Sequence, residues 1–368
     1  MSTRKDKFTK KDKTYMELAL SLASARHGLT GVNPSVGCVI VKNDEIISIG
    51  QTNYKGRPHA EYNAIKNCNM NLEGSKIYIT LEPCNHYGRT PPCTDLIIKK
   101  KIKEVVYSVD DIDNKVKGKS FKILKSKNII VKKGLLKKDV GNFYSTYFFN
   151  RTKKLPYITG KIAVSKNNLI YSKGTKKITD IHSDKLTHFL RYKNDSLMIS
   201  SKTLNQDNPK LNCRLEGLNK FSPNRIVLDK NLKMNISSYI FKSANKDNTI
   251  VFYNRGRKPQ ILRFKKKGIQ LIKSKLLKNK NFDLKIIFKK LYKLGCRNLL
   301  VEGGNDLSKS IIKNKFFNKF YLFKSPKNLS KLVAHKNFNC FKDLYQNYKE
   351  KKKINTKLGK DSITLYKK

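Results

Sequence analysis

His59-Ala60-Glu61, Pro83-Cys84 and Cys93 combine residue types and spacing that point to a defined chemistry. A catalytic zinc ion takes three protein ligands and keeps a fourth position open for water. One imidazole nitrogen of His59 and the thiolates of Cys84 and Cys93 supply the three. Glu61 cannot share the ion with His59, but it can reach the water, take its proton and pass it to a departing amine. Hydrolytic zinc deaminases carry this arrangement, with a His-x-Glu segment, a Pro-Cys segment and a glutamate that is not a ligand. Each residue alone would more often be structural. Together, with both cysteines beside prolines after a strand, they favour the metal.

The gap between the cysteines discriminates further. Deaminases of nucleosides and nucleic acids usually have two residues there, whereas here Asn85-His86-Tyr87-Gly88-Arg89-Thr90-Pro91-Pro92 intervenes. A polar loop strung between two ligands must pass over the substrate pocket, where His86, Arg89 and Thr90 can hold a ribose or phosphate. His86 as a fourth ligand would close the site to water, so a substrate role suits it better.

These residues need elements to position them. Thr14 to His27 reads as a helix, with Met16, Leu20 and Ala23 on one face. The β-branched runs Val36–Val41 and Ile46–Gly50 make a hairpin about Asn43-Asp44. His59 to Asn67 reads as a short helix, Lys76 to Leu81 as a strand, and Cys93 to Lys101 as a helix. Val105–Val109 and Ile129–Val131 are further strands. The alternation predicts an α/β sandwich with helices on both faces of one sheet.

Character changes between Asn142 and Pro156, where an aromatic, helix-like stretch gives way to Arg151–Lys154 and a new strand, Tyr157–Val164. We divide the chain into a basic tail (1–13), a deaminase domain (14–152) and a second domain (153–368). The latter holds strands at Leu197–Ser200, Arg225–Leu228, Thr249–Tyr253 and Asn298–Val301. It lacks the Gly-x-Gly-x-x-Gly of a Rossmann dinucleotide site. Leu299–Val301 does run through Glu302-Gly303-Gly304 into a helix, whose first amides can bind a pyrophosphate; a glycine pair by itself more often marks only a turn.

Pro-Cys-Asn-His-Tyr-Gly-Arg-Thr-Pro-Pro-Cys after Thr80-Leu81-Glu82, His-Ala-Glu at 59–61 and Asn33-Pro34-Ser35-Val36-Gly37 resemble the bifunctional riboflavin-biosynthesis deaminase-reductase family. The resemblance implies a cytidine-deaminase-like α/β/α sandwich in front and a dihydrofolate-reductase-like α/β domain behind. It implies zinc-dependent deamination of 2,5-diamino-6-(5-phosphoribosylamino)pyrimidin-4(3H)-one, with Asn33 against the pyrimidine. NADPH-dependent reduction of the product to a ribitylamine follows. Lys161–Ser165, Ser201–Leu211, Arg225–Asp229 and Val301–Gly304 match reductase segments in order. On that basis Ala163, Lys177, Thr203, Asp207 and Gly304 would lie along NADPH. Thr175, Arg191, Leu211, Arg214 and Glu302 would hold the substrate, the arginines suiting its phosphate. Two departures stand out: Lys166-Asn167-Asn168 replaces the family's Leu-Asp-Gly turn, and Lys177 stands where a tryptophan borders the cofactor.

Charge argues less than its size suggests. With 80 Lys and Arg against 27 Asp and Glu, the net charge is +53. The lysines are spread over the whole length, so they speak to solubility and to attraction of phosphorylated substrates rather than to a nucleic-acid site. A tRNA or other nucleic-acid deaminase, or a deaminase carrying a non-catalytic C-terminal module, are the rival readings. Seven scattered cysteines without an apolar leader point to reduced thiols. No apolar run would span a bilayer. A cytoplasmic homo-oligomer that binds a small phosphorylated pyrimidine, and neither membrane nor nucleic acid, is expected.

Overall fold

The computed structural model describes residues 8–88, 90–172, 177–245, 248–330, 335–355 and 359–368. The chain divides after Lys154 into two compact units.

In the first unit β1 (Gly37–Lys42), β2 (Glu45–Gln51), β3 (Lys76–Leu81), β4 (Glu104–Val109) and β5 (Ile130–Lys133) form a sheet of order β2-β1-β3-β4-β5. β1 runs antiparallel to both neighbours, and β3, β4 and β5 are parallel. Asn43 and Asp44 turn the hairpin with φ of 51° and 63°, the left-handed pair such a two-residue turn needs. Both faces of the sheet are covered. Cys38, Ile40, Ile77, Ile79, Val105 and Tyr107 belong to one apolar cluster, and Val39, Val41, Tyr78 and Val106 to another. This is the strand alternation expected of a sandwich.

The first helix, Lys10–Arg26, begins earlier than the expected Thr14. Thr9 Oγ1 accepts from the Asp12 amide, and an Asp12 carboxylate oxygen accepts from the Thr9 amide, a reciprocal cap. Asp12 is buried, where it also accepts from Lys76 Nζ at 2.6 Å and Tyr78 Oη at 2.5 Å. The surrounding lysines hide this start from a reading based on periodicity. The aromatic stretch before the division is two helices, Lys137–Phe143 and Ser145–Lys153, with Tyr144 buried between them.

The second unit is built on β6 (Tyr157–Val164), β8 (Ser196–Ser200), β9 (Asn224–Leu228), β10 (Thr249–Tyr253), β11 (Gln270–Lys273), β12 (Asn298–Val301), β13 (Lys319–Lys324), β15 (Glu350–Ile354) and β16 (Ser362–Lys367). Their order is β11-β10-β9-β8-β12-β6-β13-β16-β15. β16 and β15 are antiparallel additions to an otherwise parallel sheet. β7 (Leu169–Ser172) and β14 (His335–Asn337) pair separately. Apolar residues again alternate between two clusters, as Met198, Ile226 and Leu299 against Leu197, Val227 and Leu300. Among the described residues, no helix is long and apolar enough to cross a membrane.

Candidate active sites

The first site forms past the C-terminal end of β3, where parallel sheets generally place their ligands. The amide of Glu82 donates to Val109 O at 2.9 Å, prolonging the β3–β4 pairing. Its buried carboxylate accepts from the amides of Asp111 (3.2 Å) and Gly118 (3.0 Å), and Ser120 Oγ donates to Pro83 O. Cys84 therefore leaves a strand end that is held from several sides.

Cys93 opens the Cys93–Lys99 helix; its amide points at Cys84 Sγ (3.3 Å), and the Thr94 amide donates to Cys84 O (3.1 Å). His59 caps the Ala60–Lys66 helix, which lies directly on β2. Gly50 makes that closeness feasible, because a Cβ there would sit 2.2 Å from Ala60 O. Ser48 Oγ to Ala64 O and Asn63 Nδ2 to Gln51 O fasten the same helix.

His59 Nδ1 stands 3.5 Å from both Cys84 Sγ and Cys93 Sγ, and all three ligand atoms lie within 4.8 Å of one another. A tetrahedral ion with Zn–N of about 2.0 Å and Zn–S of about 2.3 Å sets N and S ligands about 3.5 Å apart. The donor set and its geometry thus fit zinc. The neighbouring Cys93, with help from His59, draws the Cys84 thiol down to about 4, and Cys84 together with burial drives Cys93 up. Glu61 is buried, and burial raises its carboxyl to about 7, a value suited to both taking and giving a proton.

Around this triad, Asn33 Nδ2 donates to Gly56 O at 2.9 Å, and Thr90 Oγ1 accepts from Arg57 Nη1 at 2.7 Å. His86 is exposed on the loop and is not part of the ligand cluster. Arg89 lies outside the described residues.

In the second unit a cavity of about 590 Å³ is lined by Ala163, Lys177, Thr203, Asp207 and Gly304, together with Glu302. Residues from β6, from the helix after β8 and from the turn after β12 thus meet on one wall. A Cβ on Gly304 would lie 3.4 Å from Thr203 Oγ1. Gly304 also caps the Asn305–Lys313 helix without offering a side chain, so backbone amides remain to bind phosphate oxygens. The cavity is in the size range of cofactor sites, and these residues fit a dinucleotide.

Arg191 and Glu302 form a two-pronged ion pair, and Arg191 Nη1 donates to Asn212 O. All three guanidinium nitrogens are therefore engaged within the protein. Leu211 is buried, and Arg214 is exposed with Nη1 on Asn212 Oδ1; neither lines the cavity. Thr175 lies outside the described residues.

Residues 9–109 match the family model for the cytidine and deoxycytidylate deaminase zinc-binding region, and residues 156–335 that for the RibD C-terminal domain. The riboflavin biosynthesis protein RibD of Aquifex aeolicus is 34% identical over 97% of this chain and 98% of its own length. The chain belongs to the RibD family. The RibD of Buchnera aphidicola is 33% identical, covering 95% of this chain and 97% of that one. Among solved structures, RibD of Acinetobacter baumannii superposes with a TM-score of 0.83 at 25% identity, over 97% of this chain and 99% of that one. A Thermotoga maritima structure described as a diaminohydroxyphosphoribosylaminopyrimidine deaminase/5-amino-6-(5-phosphoribosylamino)uracil reductase gives 0.79 at 29%, over 97% and 98%. The chain is a bifunctional riboflavin-biosynthesis enzyme, with a zinc-dependent deaminase unit and an NADPH-using reductase unit.

Set among RibD proteins, the two departures have physical readings. Asn168 takes φ 64°, its amide donates to Ser165 O, and the Ser165 amide donates to Leu169 O, so the Asn-Asn segment makes the required turn. Lys177 borders the cavity but is exposed and paired with Asp184 at 2.5 Å, offering no aromatic wall.

Two residues escaped the sequence reading. Lys161 lines the cavity with its Nζ 4.8 Å from the Phe323 ring centroid, and burial lowers its pKa while Glu302 opposes the shift. A lysine inside an otherwise apolar strand was the available signal. Arg57 gave none, because its contact with Thr90 joins segments far apart in the sequence.

Proposed function

We propose that the first unit deaminates 2,5-diamino-6-(5-phosphoribosylamino)pyrimidin-4(3H)-one and that the second reduces the resulting 5-amino-6-(5-phosphoribosylamino)uracil. The observation that carries the first half is the 3.5 Å spacing of His59 Nδ1 from both cysteine sulfurs, with Glu61 buried beside them. Bound zinc supplies the Lewis acidity that makes water nucleophilic at neutral pH. Glu61 accepts the proton of the attacking water and returns it to the ring amine, which leaves as ammonia while the carbon becomes a carbonyl. Asn33 orients the pyrimidine, and His86, Arg89 and Thr90 take the ribosyl phosphate.

Bound NADPH supplies the hydride for the second step. Ala163, Lys177, Thr203, Asp207 and Gly304, which line the cavity, would hold the dinucleotide. Glu302, on the cavity wall, would face the substrate, Arg191 fixes Glu302 in place, and Thr175 and the exposed Arg214 would reach the phosphate. Hydride delivered to C1′ of the ring-opened imine, with a proton on its nitrogen, leaves the ribitylamine. A cytoplasmic homo-oligomer completes this reading.

The test is a coupled turnover assay with zinc, NADPH and the diaminopyrimidine ribosyl phosphate. Ammonia release and NADPH oxidation are both expected, and Glu61→Gln should abolish both while keeping its zinc, since reduction waits for the deaminated product. Ammonia without NADPH oxidation would reduce the assignment to a deaminase with a non-catalytic second unit. No ammonia from zinc-loaded protein would overturn the substrate.

A further inference from the structure

Arg57 lies in the short segment that leads from Gly56 to the zinc ligand His59. Its turn is fixed from behind: Gly56 adopts φ 90°, and its carbonyl accepts from Asn33 Nδ2 at 2.9 Å. From there the side chain reaches across to the loop between the two cysteine ligands. Nη1 donates to Thr90 Oγ1 at 2.7 Å. A Cβ on Gly88 would lie 3.3 Å from Nη2, so the glycine leaves room for the guanidinium against the loop. The Gly88 amide donates to Thr90 O at 3.2 Å, keeping this part of the loop compact.

A guanidinium carries five N–H donors in a rigid fork, and this one spends a single bond on Thr90. No carboxylate pairs with it among the described residues. Thr90, having accepted from Arg57, still has its own O–H to donate. A cationic fork and a hydroxyl held together at the rim of the zinc site form a grip for a dianion, which arginine meets bidentately.

We propose that Arg57 is a phosphate-binding specificity residue of the deaminase, acting with Thr90 to select the 5′-phosphorylated substrate over its phosphate-free counterpart. This rests on the reading of the 85–92 loop as the ribosyl-phosphate site.

The experiment measures ammonia release by the full-length, zinc-loaded enzyme and its Arg57→Gln, Arg57→Lys and Thr90→Val variants. Each is given the phosphorylated substrate and the same compound lacking the phosphate. Arg57→Gln should raise KM for the phosphorylated compound about tenfold, the usual size of one charge-assisted contact. Its kcat and zinc content should hold, and KM for the phosphate-free compound should not change. Arg57→Lys should recover part of the loss, since the charge remains but the fork does not. Equal effects on both compounds, or none on either, would overturn the role of Arg57. If Thr90→Val weakens only the phosphorylated compound and Arg57→Gln does not, Arg57 alone is ruled out. A wild-type enzyme indifferent to the phosphate would overturn the loop reading itself, and the role of Arg57 with it.

Discussion

Arg191 grips Glu302 with two parallel hydrogen bonds, Nε to Oε1 at 2.7 Å and Nη2 to Oε2 at 2.8 Å, and both side chains are almost enclosed. The neighbouring guanidinium opposes the cost of burial and holds the Glu302 carboxyl below its ordinary range. Removing one member leaves the other charge buried and unmatched, at a cost of about 3–5 kcal/mol. Arg191→Met should therefore lower the unfolding midpoint of the second unit and cut NADPH oxidation at least a hundredfold. Deaminase activity, in the other unit, should stay within twofold. Calorimetry alongside separate ammonia and NADPH assays checks both statements, and an equal loss in the two activities would contradict them.

The helix carrying Glu61 can be lifted by a single methyl group. A side chain at Gly50 would collide with the backbone at Ala60 and Ala64. Gly50→Ala should displace His59 and Glu61 together, lowering zinc content below one equivalent per chain and ammonia release by more than tenfold. Metal analysis of the purified variant decides the matter; full zinc occupancy with normal turnover would show that the helix can accommodate the methyl.

Acid should weaken the second unit through His188. Burial first, then the charges of Arg191 and Arg214, push this imidazole from its ordinary 6.5 down to about 4; Glu302 acts in the opposite direction. The folded chain thus keeps His188 neutral where the unfolded chain would protonate it. Its stabilising share is complete above pH 6.5 and is lost as pH falls toward 4. Thermal midpoints of the second unit measured across that window should fall more steeply in the wild type than in His188→Gln. Parallel curves would rule His188 out as the source.

Lys177 is a position to improve. It borders the cavity, and its charge is already matched by Asp184, which lines the same cavity. Lys177→Trp restores a flat aromatic wall, and one well-placed aromatic contact is worth about 0.5–1.5 kcal/mol. KM for NADPH should drop by about two- to tenfold with kcat little changed. An unchanged or higher KM would mean the cofactor does not run past this residue.

The zinc site was legible in the sequence because its chemistry is compressed into short motifs: His59 and Glu61 are two residues apart, and Cys84 and Cys93 bracket one loop. Strands Lys76–Leu81, Tyr157–Val164 and Asn298–Val301 were equally plain, being mostly apolar stretches rich in β-branched residues and leucine. What stayed hidden depends on long-range meetings. Arg191 reads as a free phosphate ligand until Glu302, 111 residues on, is seen to occupy its fork. β15 is exposed for most of its length and has no alternation, because an edge strand of lysines buries little. The helix Lys119–Ser126 was concealed the same way, with only Ser120 and Leu124 buried.

The loop between Cys84 and Cys93 has one further consequence. Its two ends are stitched to each other, through the amides of Cys93 and Thr94 on Cys84, before any metal is counted. A segment closed at its base can be lengthened, shortened or rewritten while its two cysteine ends keep their positions. In such an architecture the bond-breaking apparatus and the choice of molecule are inherited separately, so one hydrolytic centre can be passed to new pyrimidines by replacing its canopy alone.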